Sequence, residues 1–157
     1  MTPLGFQSHD HSGCIDAALA AAEARCAADG LQLTPGRRRV LEILLREHRA
    51  LGAYEILEQL REGDRRPQPP MAYRALDFLT AHGFAHRIER LNAFVACNCP
   101  DRPHAPVFLI CRGCDAVAEA PGDRAALAPL AADADFALER AVMEAEGLCP
   151  GCRTTDG

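Results

Sequence analysis

No stretch of the 157-residue chain approaches the roughly 18 consecutive apolar residues of a membrane span, although 48% of its residues are apolar. No membrane partner is therefore expected. The first residues, Met1 to His11, lack a basic start followed by an apolar block, so no secretory signal is expected and the chain should reside in the cytoplasm. Lysine is absent, all 17 basic residues being arginine. With so much alanine present, that bias is read as coding composition and given no functional weight. Also missing is any nucleophile–base pair or metal constellation with an evident open position, so an enzyme is not expected.

What the chain does hold is cysteine, eight residues in all. Without a secretory signal these read as thiols and metal ligands rather than disulfides. The net charge of −5 argues weakly against nucleic acid, but it is unevenly placed. Residues 31–90 carry 11 Arg against 8 acidic residues, and residues 91–157 carry 5 against 10. A chain of this length forms one domain or two small ones, and the charge asymmetry suggests two modules with different partners.

Residues 1–12 read as a short tail, in which His9-Asp10-His11 is either floppy or a loose metal ligand. An Ala-rich helix is expected over 14–29, stopped by Gly30, with Ile15, Leu19, Ala22 and Cys26 on one stripe. Thr34-Pro35 opens a second helix as N-cap and first helical residue, burying Val40, Leu41, Leu44, Leu45 and His48. Arg37, Arg38 and Arg39 crowd its first turn, the wrong end for cations, which suggests an external anion such as DNA phosphate. A third helix, 53–62, and a proline-marked connection lead to a fourth, 71–82, stopped by Gly83. There Ala72, Leu76 and Leu79 face inward and Arg74 almost opposite, with Met71 outward and Tyr73 on the border; Phe78 fits no stripe. Helix, connection, helix, then a hairpin over 84–97 is the order of a winged helix-turn-helix, whose second helix reads the major groove.

Beyond a linker, 98–106, the pattern changes. Strands are expected at 107–110, 116–120 and 136–146, with a helix over 123–133 that Pro129 should kink or split. Three strands and one helix bury little alone, so a module of roughly 50 residues calls for a metal or a partner subunit. The fold class expected is thus α+β: an N-terminal winged helix (1–97), a hinge (98–106) and a small C-terminal α/β domain with a three-stranded sheet (107–157).

Cys111-Arg-Gly-Cys114 and Cys149-Pro-Gly-Cys152, 34 residues apart, each sit where a strand ends. Four thiolates close a tetrahedron with no open position, which predicts structural zinc. A second group is looser. If the hairpin loop runs from Arg90 to Ala93, His86 lies directly across from Cys97, about 5 Å away. With His104 and Glu119 they would make a zinc-suited set. From spacing alone, a core His, a core Cys and a solvated Glu are the slightly favoured reading.

Several runs resemble the ferric-uptake-regulator family, and its zinc-uptake-regulator branch most. They are Leu33-Thr-Pro-Gly-Arg37, Ala53-Tyr-Glu-Ile-Leu57, Pro69-Pro-Met-Ala-Tyr-Arg-Ala-Leu-Asp-Phe-Leu79, Gly83-Phe-Ala-His-Arg-Ile-Glu89, Asn92-Ala-Phe-Val-Ala-Cys97 and the paired C-x-x-C motifs. The resemblance, over about residues 15–152, implies a homodimeric, zinc-responsive repressor with two zinc ions per subunit that binds palindromic double-stranded DNA operators. It implies structural zinc at Cys111, Cys114, Cys149 and Cys152, and regulatory zinc at His86, Cys97, His104 and Glu119. Tyr73 and Arg74 match the family's DNA-reading pair, and Met71 on the same helix and Arg37 at the start of the second helix are further expected DNA contacts. The iron branch's His-His-Asp-His run is absent, and Met71-Ala72 replaces the usual Thr-Val. Two rival readings are a thiol-based peroxide sensor using Cys97 and Cys99, and a zinc-binding interaction module that does not bind DNA.

Overall fold

A computed structural model describes residues 12–47, 49–61, 63, 67–97 and 105–154. The expectations for the His9-Asp10-His11 tail, His48, Cys99, His104 and the hinge up to residue 104 lie outside these. The chain is α+β and divides into two compact units, one within residues 7–101 and one within 102–157. Among the described residues no helix is long and apolar enough to cross a membrane.

The first unit holds α1 (Ser12–Ala28), α2 (Pro35–Arg46), α3 (Ala53–Leu60), α4 (Pro69–Ala81) and the hairpin β1 (Ala85–Ile88) and β2 (Ala93–Ala96). Two of its helices, α1 and α4, end where glycine permits a left-handed residue. Gly30 has φ +68° and Gly83 φ +77°, and beyond them Leu31 and Phe84 donate back to the Cys26 and Leu79 carbonyls. The Thr34 hydroxyl accepts the Arg37 N–H at 3.4 Å, with Pro35 in the first turn. Leu19, Ala22, Cys26, Val40, Ile43, Leu44, Ile56, Leu76 and Leu79 form one buried cluster. Ile43 rather than Leu45 completes the inner face of α2, Leu45 being only partly buried. The segment before α3 is stitched to the wing, since Leu51 and Phe94 exchange both backbone hydrogen bonds.

Two local expectations change. The crowded arginines of α2 find partners inside the unit: Arg38 reaches Glu23 of α1 at 2.7 Å, and Arg39 reaches Glu42 at 3.4 Å. No external anion is needed to offset them. Phe78 is covered by the Arg37 guanidinium, 3.8 Å from the ring centroid, and by the His82 ring at 4.7 Å.

The second unit contains β3 (Ala105–Cys111), β4 (Val117–Gly122), a 3-10 turn (Arg124–Leu127), α5 (Ala128–Asp133), β5 (Met143–Gly147) and α6 (Pro150–Arg153). The order is β4-β3-β5, with β3 antiparallel to β4 and parallel to β5. β3 starts two residues inside the expected hinge. Pro129 splits the helical stretch as foreseen, because a proline suits only the first turn of α5. The third strand is far shorter than expected. Asp135, with φ +50°, turns the chain after α5, and pairing with β3 begins only at Met143.

Candidate metal and nucleic-acid sites

The parallel register sets Cys111 beside Gly147, so the two strands finish at the same end of the sheet. Beyond β3 the chain turns through Arg112-Gly113 to Cys114, with the Asp115 N–H donating to the Cys111 carbonyl at 2.9 Å. Beyond β5, Cys149 caps the short α6 that carries Cys152. All four thiols are free, and their sulfurs lie within 4.8 Å of one another. Cys114 Sγ and Cys149 Sγ are 3.8 Å apart. Zinc–sulfur bonds of about 2.3 Å in a tetrahedron put sulfurs about 3.8 Å apart, so the donor set fits that ion.

The electrostatics of the cluster point the same way. The Cys149 N–H, 3.3 Å from Cys111 Sγ, together with the Gly113 and Cys114 N–H groups, holds the Cys111 thiol down at about 6. The neighbouring Cys149, Cys111 and Cys114 thiols push Cys152 up to about 12. Cys114 accepts the Ala116 N–H yet is raised by Cys111, burial and Cys149. The Cys111 thiolate forms readily, and Cys114 and Cys152 resist ionising beside it unless a cation joins them.

Gly113 was not singled out from the sequence, although its position between the cysteines is the signal that would have found it. A Cβ there would sit 3.1 Å from Cys152 Sγ. A side chain there would push Cys152 back by a few tenths of an ångström, so glycine lets the second pair approach the first closely.

In the first unit His86 and Cys97 are both buried. The wing register differs from the expected one. Ile88 pairs with Ala93, so the loop is Glu89 to Asn92 and His86 faces Val95. Asn92 takes φ +46°, a conformation asparagine tolerates, and this closes the turn one residue early. Cys97 lies diagonally from His86 on the same face, still a reachable neighbour, and their ligand atoms are within 4.8 Å. Glu119 belongs to the second unit, half-buried on β4 opposite Phe108.

On α4 the inner residues Ala72, Ala75, Leu76 and Leu79 are buried. Met71 and Tyr73 remain 42% and 48% exposed, and Arg74 is exposed beside them. Most other arginines here meet a carboxylate, as Arg46 does Glu42 and Arg49 does Glu55. Arg74 forms no ion pair with a described residue. An unpaired cation and two exposed large side chains at the head of a second helix suit base edges. Arg37 stands apart from them, half-buried.

No family model matches the chain. It is 43% identical over 137 residues to the zinc uptake regulation protein of Escherichia coli (strain K12), covering 85% of this chain and 80% of that one. A solved zinc uptake regulator complexed with zinc and DNA is 39% identical, with a TM-score of 0.86 over 90% of this chain and 97% of the other. The holo form of XcZur is 40% identical, with a TM-score of 0.78 over 88% and 99%.

Proposed function

Since this chain belongs to the family of zinc uptake regulation proteins, we propose that it is a zinc-responsive transcriptional repressor. As a zinc-loaded homodimer it binds palindromic operators of zinc-uptake genes in the cytoplasm. The observation that carries this reading is the joint presence of a closed four-thiol set and a helix-turn-helix with Met71, Tyr73 and Arg74 exposed.

Two zinc ions per subunit are proposed. At Cys111, Cys114, Cys149 and Cys152, bound zinc supplies the positive charge that lets four crowded thiols ionise together. These residues clamp the ends of β3 and β5. His86, Cys97, His104 and Glu119 form the regulatory set. His86 and Cys97 precede residues 98–103 and His104 and Glu119 follow them, so occupancy restrains the hinge, and moving a mostly open ensemble to a mostly closed one needs about 5.5 kcal/mol of differential affinity.

Residues 1–97 bind DNA, with Tyr73 and Arg74 reading bases and Met71 offering an apolar contact to a thymine methyl. The 107–157 module dimerises. β5 is an edge strand, largely exposed, and Leu130, Phe136 and Val142 are exposed in the same unit. An open edge beside apolar side chains suits a second copy.

Duplexes selected from random-sequence DNA by the zinc-loaded protein provide the test. Binding should require zinc, and His86→Ala should lose that requirement's effect, failing to bind at any zinc level while remaining a folded dimer. Unchanged zinc dependence overturns the regulatory assignment. Arg74→Ala should cost about 1–3 kcal/mol at one base position; equal weakening on every sequence would make it a phosphate contact instead.

A further inference from the structure

Arg37 sits in the first turn of α2, where the helix dipole disfavours a cation. Its place is nonetheless fixed. The Thr34 cap holds its backbone N–H, its guanidinium donates to the Gln32 carbonyl at 2.6 Å, and the same group lies 3.8 Å from the Phe78 ring centroid. Phe78 is on α4, one turn beyond Arg74, and the His82 ring packs against it as well. The negative face of the ring and the carbonyl together offset the dipole. Phe78 itself lies off the buried stripe of Ala72, Leu76 and Leu79. Phe78, partly buried, still packs against the apolar core, and the Arg37 contact adds a hold away from the stripe that opposes rotation about the helix axis.

We propose that Arg37 is a positioning residue for the reading helix: it acts through Phe78 to set the rotation of α4, and does not work as a phosphate contact. This rests on the DNA-binding reading above. A small rotation of α4 would carry Tyr73 and Arg74 away from base edges while leaving general attraction to the duplex intact. The signature is therefore lost discrimination, not lost charge.

The experiment measures zinc-loaded full-length protein on a selected duplex and on a shuffled one, over a range of salt. For Arg37→Gln, affinity for the selected duplex should fall roughly 3- to 30-fold with the shuffled duplex unmoved and the salt slope unchanged. Phe78→Met, which keeps an apolar filler, should do the same, and the double variant should be no worse than either single one. A lowered fraction of folded protein would reduce the active concentration on both duplexes alike, so the ratio of the two affinities separates positioning from mere stability.

The proposal is overturned if Arg37→Gln weakens both duplexes and lowers the salt slope by about one while Phe78→Met changes nothing. Additive losses in the double variant overturn it too. If the wild-type protein shows no preference for any selected duplex, the DNA-binding reading falls and takes this inference with it; wild-type selectivity with the phosphate signature at Arg37 removes the inference alone.

Discussion

The two units reach stability by different means. In the winged-helix unit side chains from all four helices and the wing share one buried apolar cluster. In the second unit, Ala105, Pro106, Phe108, Ile110, Cys111, Val117 and Ala118 are the buried apolar residues among those described, all on β3 and β4. Neither α5 nor β5 contributes one, and β5 is held by its backbone pairing to β3 and by the thiols beyond its end. So small a core does not cover the ordering entropy of about 50 residues. One unit is closed by burial, the other by chemistry, and emptying the four-thiol set would act on the second without touching the apolar cluster of the first.

The contrast breaks most visibly at a thiol. Cys111→Ser should remove tightly held zinc, linked to about 10–16 kcal/mol of folding free energy, and with it dimerisation, while the helical signal of the first unit persists. Metal analysis with sedimentation and circular dichroism reads all three, and a stable zinc-loaded dimer would refute the division. The reciprocal change is in the helical core. Leu76, 1% exposed, as Leu76→Ala should destabilise the first unit by about 2–5 kcal/mol in urea unfolding without altering zinc content.

The smallest effect sharpens the comparison at the surface. Glu55 accepts the Gly52 N–H at 2.9 Å and pairs with Arg49 at 2.7 Å, and these hold its carboxyl below the usual carboxylate range. A depressed folded value means the stabilisation is present above the unfolded carboxylate range and lost as pH falls through the folded value. After solvent screening it should be about 0.5 kcal/mol, so Glu55→Ala lowers stability slightly at neutral pH and the gap to wild type should narrow in acid. Urea titrations at two pH values measure it.

Local signals explain what was legible beforehand. Thr34-Pro35, Gly30 and Gly83 mark helix ends because caps and left-handed residues are chosen within a few positions of where they act. The paired C-x-x-C motifs were equally plain, since a strand end and a two-residue spacing suffice to aim two sulfurs at one point. Interactions between distant residues were not legible. Nothing in the spacing of Phe78 announces that Arg37, on another helix, covers it. The wing register turned on a single conformation at Asn92, and one residue of loop placement moves His86 from opposite Cys97 to opposite Val95. The alternating pattern over 136–146 suggested a full strand, but pairing with β3 supports only its last residues.

The parallel pairing of β3 with β5 also orders events during synthesis. Every element of the winged helix precedes residue 97, so that unit has all its parts while the ribosome is still making the remainder. The sheet must wait for β5, and the thiol set for Cys149 and Cys152. Domains fold largely as their sequence emerges, so each new molecule holds a finished helix-turn-helix before it holds a completed clamp. A newborn chain therefore presents the exposed side chains of α4 before its four thiols are all in place.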